Sequence, residues 1–178
     1  MLIEFTTPQA TEEHLKSCLK HKIRLVIGTT GLSETQVETI RTASARIPIV
    51  LSFNMSIGVN VLFMLAQAAA AKLGGDYTAR IVEAHHIHKK DAPSGTAKTL
   101  AEKIAQGSGR KVTDIQSIRE GEIIGDHEVI LESSVDTIKI SHSAKTRDIF
   151  AKGSLVAVKF LMNKTSGLYS MQDVLGLK

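Results

Sequence analysis

The chain has 178 residues, of which 43% are hydrophobic, so it can bury a core as one domain or two small ones and is not an intrinsically disordered protein. A net charge of +4 and aromatic residues at only 4% argue against nucleic-acid binding, which needs clustered basic charge and stacking side chains. One cysteine excludes an internal disulfide, and the sequence shows neither a signal-type segment after Met1 nor an uninterrupted run of about 18 apolar residues, so we expect a cytoplasmic protein with no membrane span.

Strands and helices alternate over the first 55 residues. The predicted elements are, in order, a helix at 11–22 with Thr11 as N-cap, a strand at 23–27, a helix opened by the capping-box pair Ser33 and Gln36, and a strand at 49–51. A glycine turn, Gly28 to Gly31, follows the first of these strands. This order is typical of a parallel α/β sheet.

The remaining residues predict a mixed α+β region followed by helices. The predicted elements are a buried Ala- and Leu-rich helix at 58–73, a strand at 78–83, a polar loop at 85–94, a helix at 95–106, a glycine turn at 107–109, β structure over 112–143 with a hairpin at 135–136, a long helix at 146–162 and a short one at 169–177. The fold class is therefore α/β, with a second part that is α+β.

Chemically active side chains are densest between Glu83 and Ala97. This segment holds three His, two Lys and an Asp before the helix start Pro-Ser-Gly-Thr. Ser94, Gly95 and Thr96 open a helix, where unpaired N–H groups and the positive end of the helix dipole attract anions. Histidine and lysine at the end of a strand supply proton donors and positive charge. The segment therefore predicts a site at which a carboxylate or phosphate ligand undergoes proton transfer.

Two other interpretations of the same segment stay open at this point. His85, His86 and His88 have the spacing of a metal cluster, but adjacent residues of a strand point to opposite faces and no cysteine completes a tetrahedral set. A solvated basic loop with no function is the second alternative. The helix-start residues that follow argue against the second alternative.

Polar loops follow two neighbouring predicted strands. The first is the turn Gly28-Thr29-Thr30-Gly31, and the second runs from Ser52 to Asn60. Ligands of open α/β sheets bind at the carboxyl ends of the strands, so a dinucleotide could lie across both loops. Each loop taken alone is equally consistent with an ordinary connection.

The sequence from Glu83 to Ala97 resembles the signature of the 4-hydroxy-tetrahydrodipicolinate reductase (dihydrodipicolinate reductase) family, E-x-H-H-x-x-K-x-D-A-P-S-G-T-A, at every fixed position. Four further segments resemble that family: the G-T-T-G turn, the loop from Asn54 to Asn60, the R-x-G-x-x-x-G-x-H segment from Arg119 to His127, and the chain ending from Ser166 to Leu175. The resemblance covers essentially the whole chain.

The resemblance implies hydride transfer from NADH or NADPH to a cyclic, conjugated dicarboxylate in the diaminopimelate branch of lysine synthesis, with addition of a proton and loss of water. By this match His85 would be the general acid and Lys89 a second proton donor. The residues implied to hold the substrate carboxylates are His86, Lys89, Gly95 and Thr96. The residues implied to contact the cofactor are Gly28, Thr29, Thr30, Ser52, Phe53, Asn54 and Met55.

The resemblance also implies a domain organisation and an assembly. Residues 1–55 and 146–178 would form part of a Rossmann-like dinucleotide-binding domain, and residues 56–145 would form a substrate-binding and oligomerisation domain. A homotetramer is the assembly that the family implies. Metal, nucleic acid and membrane are not implied as partners.

Two features depart from the family pattern. Family members open with a strand and a G-x-x-G-x-x-G turn that holds the cofactor pyrophosphate, and this sequence has no such turn. Glu4-Phe5-Thr6 resembles a family segment, D-F-[ST], that normally lies well inside the nucleotide domain, and Phe53 stands where the family often has proline or a small residue. A truncated, non-catalytic remnant that keeps dicarboxylate binding and oligomerisation is therefore the alternative function.

Overall fold

The computed structural model describes residues 1–177, and these residues form two compact units. The N-terminal unit combines Met1–Ile57 with the chain from Asp148 onward, and the C-terminal unit is Gly58–Arg147. These bounds lie two residues from the domain boundaries expected from the sequence.

The N-terminal unit is built on a four-stranded parallel sheet. Its strands are β1 (Leu2–Glu4), β2 (Leu25–Ile27), β3 (Pro48–Leu51) and β8 (Gly167–Tyr169), and they lie side by side in that order. Its helices are α1 (Pro8–His21), α2 (Glu34–Ala43), α5 (Asp148–Leu161) and α6 (Met171–Val174). The alternation predicted from the first 55 residues is therefore present as a parallel sheet.

Apolar side chains cover both faces of this sheet. One cluster includes Leu25 and Ile49 together with Leu15 of α1 and Ile40 of α2. A second cluster, on Val26 and Val50, includes Ala157 and Leu161 of α5 and Met171 of α6. Helices α5 and α6, from the last part of the chain, therefore cover the second face of strands β2 and β3.

Two local predictions in this unit need correction, and a third is confirmed. Helix α1 begins at Pro8 with Thr7 as N-cap, not at Thr11, because proline is favoured in the first turn, where its missing N–H costs nothing. Tyr169 belongs to strand β8 and not to the last helix, which begins at Met171 after the N-cap Ser170. The predicted capping box of Ser33 and Gln36 is confirmed in α2.

The C-terminal unit is a mixed four-stranded sheet with helices on one face. Its strands are β4 (Thr78–His85), β5 (Asp114–Arg119), β6 (Asp126–Glu132) and β7 (Thr137–Ser143), in the spatial order β5-β4-β6-β7. Strand β4 pairs parallel with β5 and antiparallel with β6, and β6 pairs antiparallel with β7 through the predicted hairpin. Helices α3 (Ile57–Leu73) and α4 (Gly95–Ser108) supply the remaining core.

The bounds of two predicted elements change. Strand β4 extends to His85, which the sequence placed in the loop, and helix α4 extends through Gly107 to Ser108 before the left-handed C-cap Gly109. Position 107 needs a glycine although it lies inside the helix. The backbone of Gln67 approaches so closely that a Cβ there would lie 2.3 Å from the Gln67 carbonyl oxygen.

Helix α3 with its short 3₁₀ extension, Ile57–Asp76, is long and apolar enough to cross a membrane by length and composition. The sequence led us to expect no candidate span, so this finding differs from that expectation. Val59, Leu62, Phe63 and Ala66 of this helix are buried in the core against strands β4 and β6. The helix is thus used as a core helix within its unit, and apolar composition alone does not make it a membrane span.

Candidate functional site

A buried acid–base pair lies at the end of strand β4. Glu83 and His85 are two residues apart on the strand, so both side chains project from the same face of the sheet. Glu83 is fully buried and His85 is 8% exposed. Oε2 of Glu83 makes a short contact with Nδ1 of His85. Because strand β4 ends at His85, the ring stands at the edge of the core and not within it.

The Glu83 carboxylate is neutralised by Arg119 of the neighbouring strand β5. Nη2 of Arg119 donates to Oε1 at 2.9 Å, and Nη1 donates to Oε2 at 3.1 Å. Burial raises the pKa of Glu83, but hydrogen bonds from Arg119, Ser117 and His85 outweigh it and hold the pKa below its ordinary value. Glu83 is therefore an ionised carboxylate held in place by two parallel hydrogen bonds.

His127 of strand β6 packs edge-on against the ring of His85. Their ring centroids are 5.1 Å apart at an interplanar angle of 78°. Burial, reinforced by the charge of His85, lowers the pKa of His127 to about 4, so this ring is neutral near pH 7. Burial also lowers the pKa of His85, although Glu83 opposes that change. His127 is thus a neutral ring packed closely against His85.

The start of helix α4 supplies an anion-binding surface. Ser94 is its N-cap and accepts a hydrogen bond from the backbone N of Ala97, and Ser94 Oγ lies 3.3 Å from Nε2 of His127. Gly95 is exposed, and a Cβ built on it would meet no atom within 4 Å. Open space beside an exposed helix N-terminus allows a carboxylate to approach the backbone N–H groups.

Basic side chains lie in the loop between β4 and α4. Lys89 is part-buried, and its Nζ donates to Oδ1 of Asp91 at 2.7 Å. His86 is part-buried, and its Nε2 lies 3.3 Å from Nη2 of Arg147. His88 is exposed, with its ring centroid 6.1 Å from that of His86. The loop therefore offers lysine charge and imidazole groups, and Arg147, which follows strand β7, adds a guanidinium beside His86.

The structure places further residues beside the predicted site. Glu83, Arg119 and His127 lie inside the motifs named above but had no predicted role, and His142 and Arg147 lie outside those motifs. The strand register brings four of them next to His85 or to one another: His85 pairs with Arg119, Glu83 pairs with His127, and His127 pairs with His142. Arg147 follows β7 and lies beside His86. The i, i+2 spacing of Glu83 and His85 was the one available signal, since it predicts a shared face once both residues are placed in the strand.

The three histidines considered for a metal cluster do not assemble into one. Within residues 1–177, ligand atoms of Glu83, His85 and His127 lie within 4.8 Å of one another, a spacing that a metal ion could use. Both carboxylate oxygens of Glu83, however, already accept hydrogen bonds from Arg119. A cation there would have to displace a fully formed ion pair, so we assign this cluster to proton chemistry and not to a metal.

The predicted nucleotide loops lie at the carboxyl ends of β2 and β3 in the N-terminal unit. Thr29 is buried, donates to Oε2 of Glu4 at 2.9 Å and accepts from the backbone N of Thr6 at 2.9 Å. Thr30 is exposed, and Gly31 has a φ of +77° with no atom within 4 Å of a built Cβ. The Thr29 side chain thus shapes the turn, and the surface open to a ligand is formed by its neighbours.

The second loop is held together by its own side chains. Ser52 Oγ donates to the Asn54 carbonyl at 2.8 Å, and Asn54 Oδ1 accepts from the backbone N of Ser56 at 2.9 Å. Met55 is buried in the core, with its carbonyl oxygen against Gly153 of helix α5. Phe53 is 57% exposed and presents its ring to solvent. The loop is therefore rigid, with one exposed aromatic side chain.

The fold and the site together define a class of protein. The N-terminal unit is a parallel sheet with loops suited to a dinucleotide, and the C-terminal unit carries an acid–base pair and an anion-binding helix start. These are the parts of a two-unit α/β oxidoreductase that acts on a small anionic substrate.

Comparison with known families gives the particular family. A sequence model of the dihydrodipicolinate reductase N-terminus matches residues 1–55, and one of the C-terminus matches residues 58–175. The chain belongs to the dihydrodipicolinate reductase family, as the resemblance of residues 83–97 predicted.

Individual relatives agree with this family. The chain is 42% identical to the 4-hydroxy-tetrahydrodipicolinate reductase of Zymomonas mobilis over 99% of its own length and 77% of that protein. It is 43% identical to the enzyme of the same name from Nitrosomonas europaea, over 100% of the chain and 74% of that protein. The structure of dipicolinate-bound dihydrodipicolinate reductase from Paenisporosarcina sp. TG-14 is similar with a TM-score of 0.80 at 25% identity, covering 96% of this chain and 71% of that one. The chain thus spans about three quarters of the relatives it matches, and the non-catalytic remnant is not the favoured alternative.

Proposed function

We propose that the protein is an NADH- or NADPH-dependent reductase that converts 4-hydroxy-tetrahydrodipicolinate to tetrahydrodipicolinate in the diaminopimelate pathway. The observation that carries this proposal is the placement of His85, backed by the Glu83–Arg119 ion pair, in the unit whose helix α4 begins at an open anion-binding surface. A dicarboxylate that must gain a proton needs both features in one unit.

The substrate carboxylates are held by positive charge and by helix N–H groups. His86, Lys89, Gly95 and Thr96 are the residues we assign to this role. Lys89 projects from a loop fixed at both ends, and the guanidinium of Arg147 lies beside His86. Charge-assisted hydrogen bonds of this kind are about twice as strong as neutral ones. Two separate groups of donors, the loop and the helix start, fit a ligand with two carboxylates.

His85 and Lys89 are the proton donors that we assign. The Nε2 side of His85 faces away from Glu83, and the ammonium of Lys89 carries charge that stabilises the carboxylate form of a bound substrate. A positioned proton donor typically accelerates a reaction by about 10²–10⁴-fold. The pair therefore accounts for a substantial part of the catalysis.

The cofactor residues that we assign lie in the two loops of the N-terminal unit: Gly28, Thr29, Thr30, Ser52, Phe53, Asn54 and Met55. The nicotinamide cofactor supplies the hydride when it is bound. The residues present fit such a group, because Gly31 leaves open space beside the turn and the exposed ring of Phe53 offers an apolar surface. Phe5, 48% exposed, lies directly over Gly28, where a Cβ would be 2.2 Å from its ring. A side chain at position 28 would therefore require the Phe5 ring to move.

The activity is tested by mixing the purified chain with NADH or NADPH and freshly generated 4-hydroxy-tetrahydrodipicolinate and following the loss of reduced nicotinamide absorbance. We expect substrate-dependent oxidation of the cofactor. Absence of turnover with either cofactor, from a folded protein, would contradict the proposal.

Substrate binding is tested separately by calorimetric titration with pyridine-2,6-dicarboxylate, a planar dicarboxylate. We expect Thr96→Ala to weaken binding about tenfold, the loss of one charge-assisted hydrogen bond. Thr99→Ala, one turn along the same helix, is the matched control and should bind as the wild type does. Equal binding by Thr96→Ala and wild type would remove Thr96 from the site.

We further propose that the protein assembles as a homotetramer in the cytoplasm. Helices α3 and α4 cover one face of the C-terminal sheet, and the opposite face carries the alternate residues of β4, namely Arg80, Val82 and Ala84. Apolar Val82 and Ile118 on this face are only part-buried in the isolated chain. A sheet face of this kind is normally covered by another layer, and a second copy supplies it. Light scattering on the purified protein should report four copies, and a monomer would contradict the assembly.

A further inference from the structure

We propose that Glu83 and Arg119 are positioning residues for the general acid, which together fix the tautomer of His85 and the loop that carries Lys89. This inference rests on the proposed function, because it assigns how the proton donors of that reaction are held. It adds two residues, 36 positions apart in the sequence, to the reaction.

The tautomer follows from what surrounds the Glu83 carboxylate. The groups around it donate hydrogen bonds: Arg119 donates through two nitrogens and the backbone N of Ser94 donates at 3.3 Å, with Nδ1 of His85 in contact with Oε2 and a further hydrogen bond from Ser117. An ionised carboxylate accepts hydrogen bonds and donates none. Nδ1 of His85 must therefore carry a hydrogen, and Nε2 is the nitrogen that gains and loses the catalytic proton.

Space is kept free on the Nε2 side of the ring. Gly125 lies there, and a Cβ on it would be 3.1 Å from Nε2 of His85 and 3.8 Å from Cε1 of His127. Any side chain at position 125 would crowd the nitrogen that exchanges the proton. The glycine therefore belongs to the same arrangement, because it leaves Nε2 accessible.

Arg119 also fixes the loop that carries the second proton donor. Its Nη2 donates to the Asp91 carbonyl at 2.5 Å, and its Nε donates to the Lys89 carbonyl at 3.3 Å. The Lys89 ammonium in turn donates to the Asp91 carboxylate at 2.7 Å. The guanidinium of Arg119 thus connects the Glu83 carboxylate to the backbone of the loop that carries Lys89. A lysine at position 119 would keep the charge but lose the planar fork that makes these contacts together.

Titratable and charged side chains face His85 from strands β4, β5 and β6 and from the loop after β4. Glu83 on the same strand favours the imidazolium form, whereas Lys89 in the loop and Arg119 on β5 oppose it, and His127 packs on the ring from β6. Removing the charge of Glu83 leaves only opposing charges. The protonated form of His85 then becomes harder to reach.

The test combines kinetics and nitrogen NMR on the full chain carrying Glu83→Gln or Arg119→Lys. We expect Glu83→Gln to lower kcat about 10²–10³-fold and Arg119→Lys about 10²-fold, with little change in the KM for NADH. The decline of kcat/KM with rising pH should move to lower pH in Glu83→Gln, because His85 loses the carboxylate that favours its protonated form.

The NMR readout needs no activity. In wild-type protein labelled with nitrogen-15 histidine, the His85 resonances, assigned by their loss in His85→Gln, should show hydrogen on Nδ1. In Glu83→Gln this preference should disappear. Glu120→Gln and Arg110→Lys, exposed residues of the same unit, are the matched controls and should keep both wild-type kinetics and the wild-type spectrum.

Each result decides one claim. An inactive wild type that shows hydrogen on Nδ1 would overturn the proposed function and leave the positioning role standing. A Glu83→Gln variant that is folded by circular dichroism and keeps the wild-type tautomer and pH profile would overturn the positioning role. Recovery of activity by Arg119→Ala on addition of guanidinium would support the positioning role, because guanidinium would not restore a variant that had lost its fold.

Discussion

The backbone N–H of Ser94 donates a hydrogen bond to Oε1 of Glu83, 3.3 Å away and 11 residues earlier in the chain. Ser94 is the N-cap of helix α4, and Glu83 is the buried carboxylate of strand β4. This single bond links the start of the helix to the carboxylate that contacts His85. The proposed anion-binding surface and the proposed acid are therefore parts of one hydrogen-bonded arrangement.

Replacing either proposed proton donor, His85 or Lys89, should lower kcat. We expect His85→Gln and Lys89→Ala each to lower kcat by about 10²–10⁴-fold, because each removes a positioned proton donor. The KM for NADH should change little, and Lys89→Ala should also raise the KM for the dicarboxylate, whose charge Lys89 faces. Steady-state kinetics with each substrate varied in turn would measure both effects.

The control for these variants is His88→Gln on the same loop. His88 is exposed and has no part in the Glu83–Arg119 arrangement, so its kinetics should match those of wild type. If His88→Gln were as damaging as His85→Gln, the assigned roles would be wrong.

Acid should destabilise the C-terminal unit through His127. Its pKa is about 4 when folded and about 6.5 when unfolded, so between these values the unfolded chain binds more protons and the free energy of unfolding falls as pH falls. The difference between the two pKa values corresponds to about 3 kcal/mol in the free energy of unfolding. This stability is intact above about pH 6.5 and is lost by about pH 4.

Urea unfolding followed by circular dichroism from pH 7 to pH 4 would measure this loss. The variant His127→Gln should show a shallower dependence on pH than wild type, and His88→Gln should keep the wild-type slope. An unchanged slope in His127→Gln would show that other groups cause the acid sensitivity.

The buried carboxylate of Glu4 should stabilise the N-terminal unit. It accepts hydrogen bonds from the hydroxyls of Thr6 at 2.5 Å, Thr11 at 2.8 Å and Thr29 at 2.9 Å. Glu4→Ala would leave two buried hydroxyls without this acceptor and should cost about 2 kcal/mol or more. Glu13→Ala, at an exposed position of helix α1, should stay within about 0.5 kcal/mol of wild type. Urea unfolding of both variants provides the comparison.

Gly153 in helix α5 should not tolerate a methyl group. A Cβ at this position would lie 1.7 Å from the Met55 carbonyl oxygen, which is backbone and cannot move as a flexible side chain does. Gly153→Ala should therefore lower the free energy of unfolding by about 1–3 kcal/mol, despite alanine's better helix propensity. Gly95→Ala, where a Cβ meets nothing within 4 Å, is the control in the same thermal unfolding experiment, and equal stability of the two variants would contradict this account.

The sequence predicted a helix start correctly where residues close together in the chain determine it. The capping box at Ser33 depends on two residues three positions apart, and the helix start at Ser94 depends on residues that are adjacent. The two errors had different origins, one local and one long-range. Thr7 and not Thr11 caps α1 because Pro8 follows it, and Tyr169 joins the sheet through its pairing with Val50, a contact that no nearby residue specifies.

The sequence by itself determined the family, through the fixed residues from Glu83 to Ala97, and it predicted an anion site at the start of a helix. Only the tertiary structure decided which side chains complete that site. Arg119 and His127 reach Glu83 and His85 through the registers of β5 and β6 against β4. A strand register is set by the burial of a whole face and not by the spacing of nearby residues, so partners 36 or more positions apart meet only once the sheet has formed.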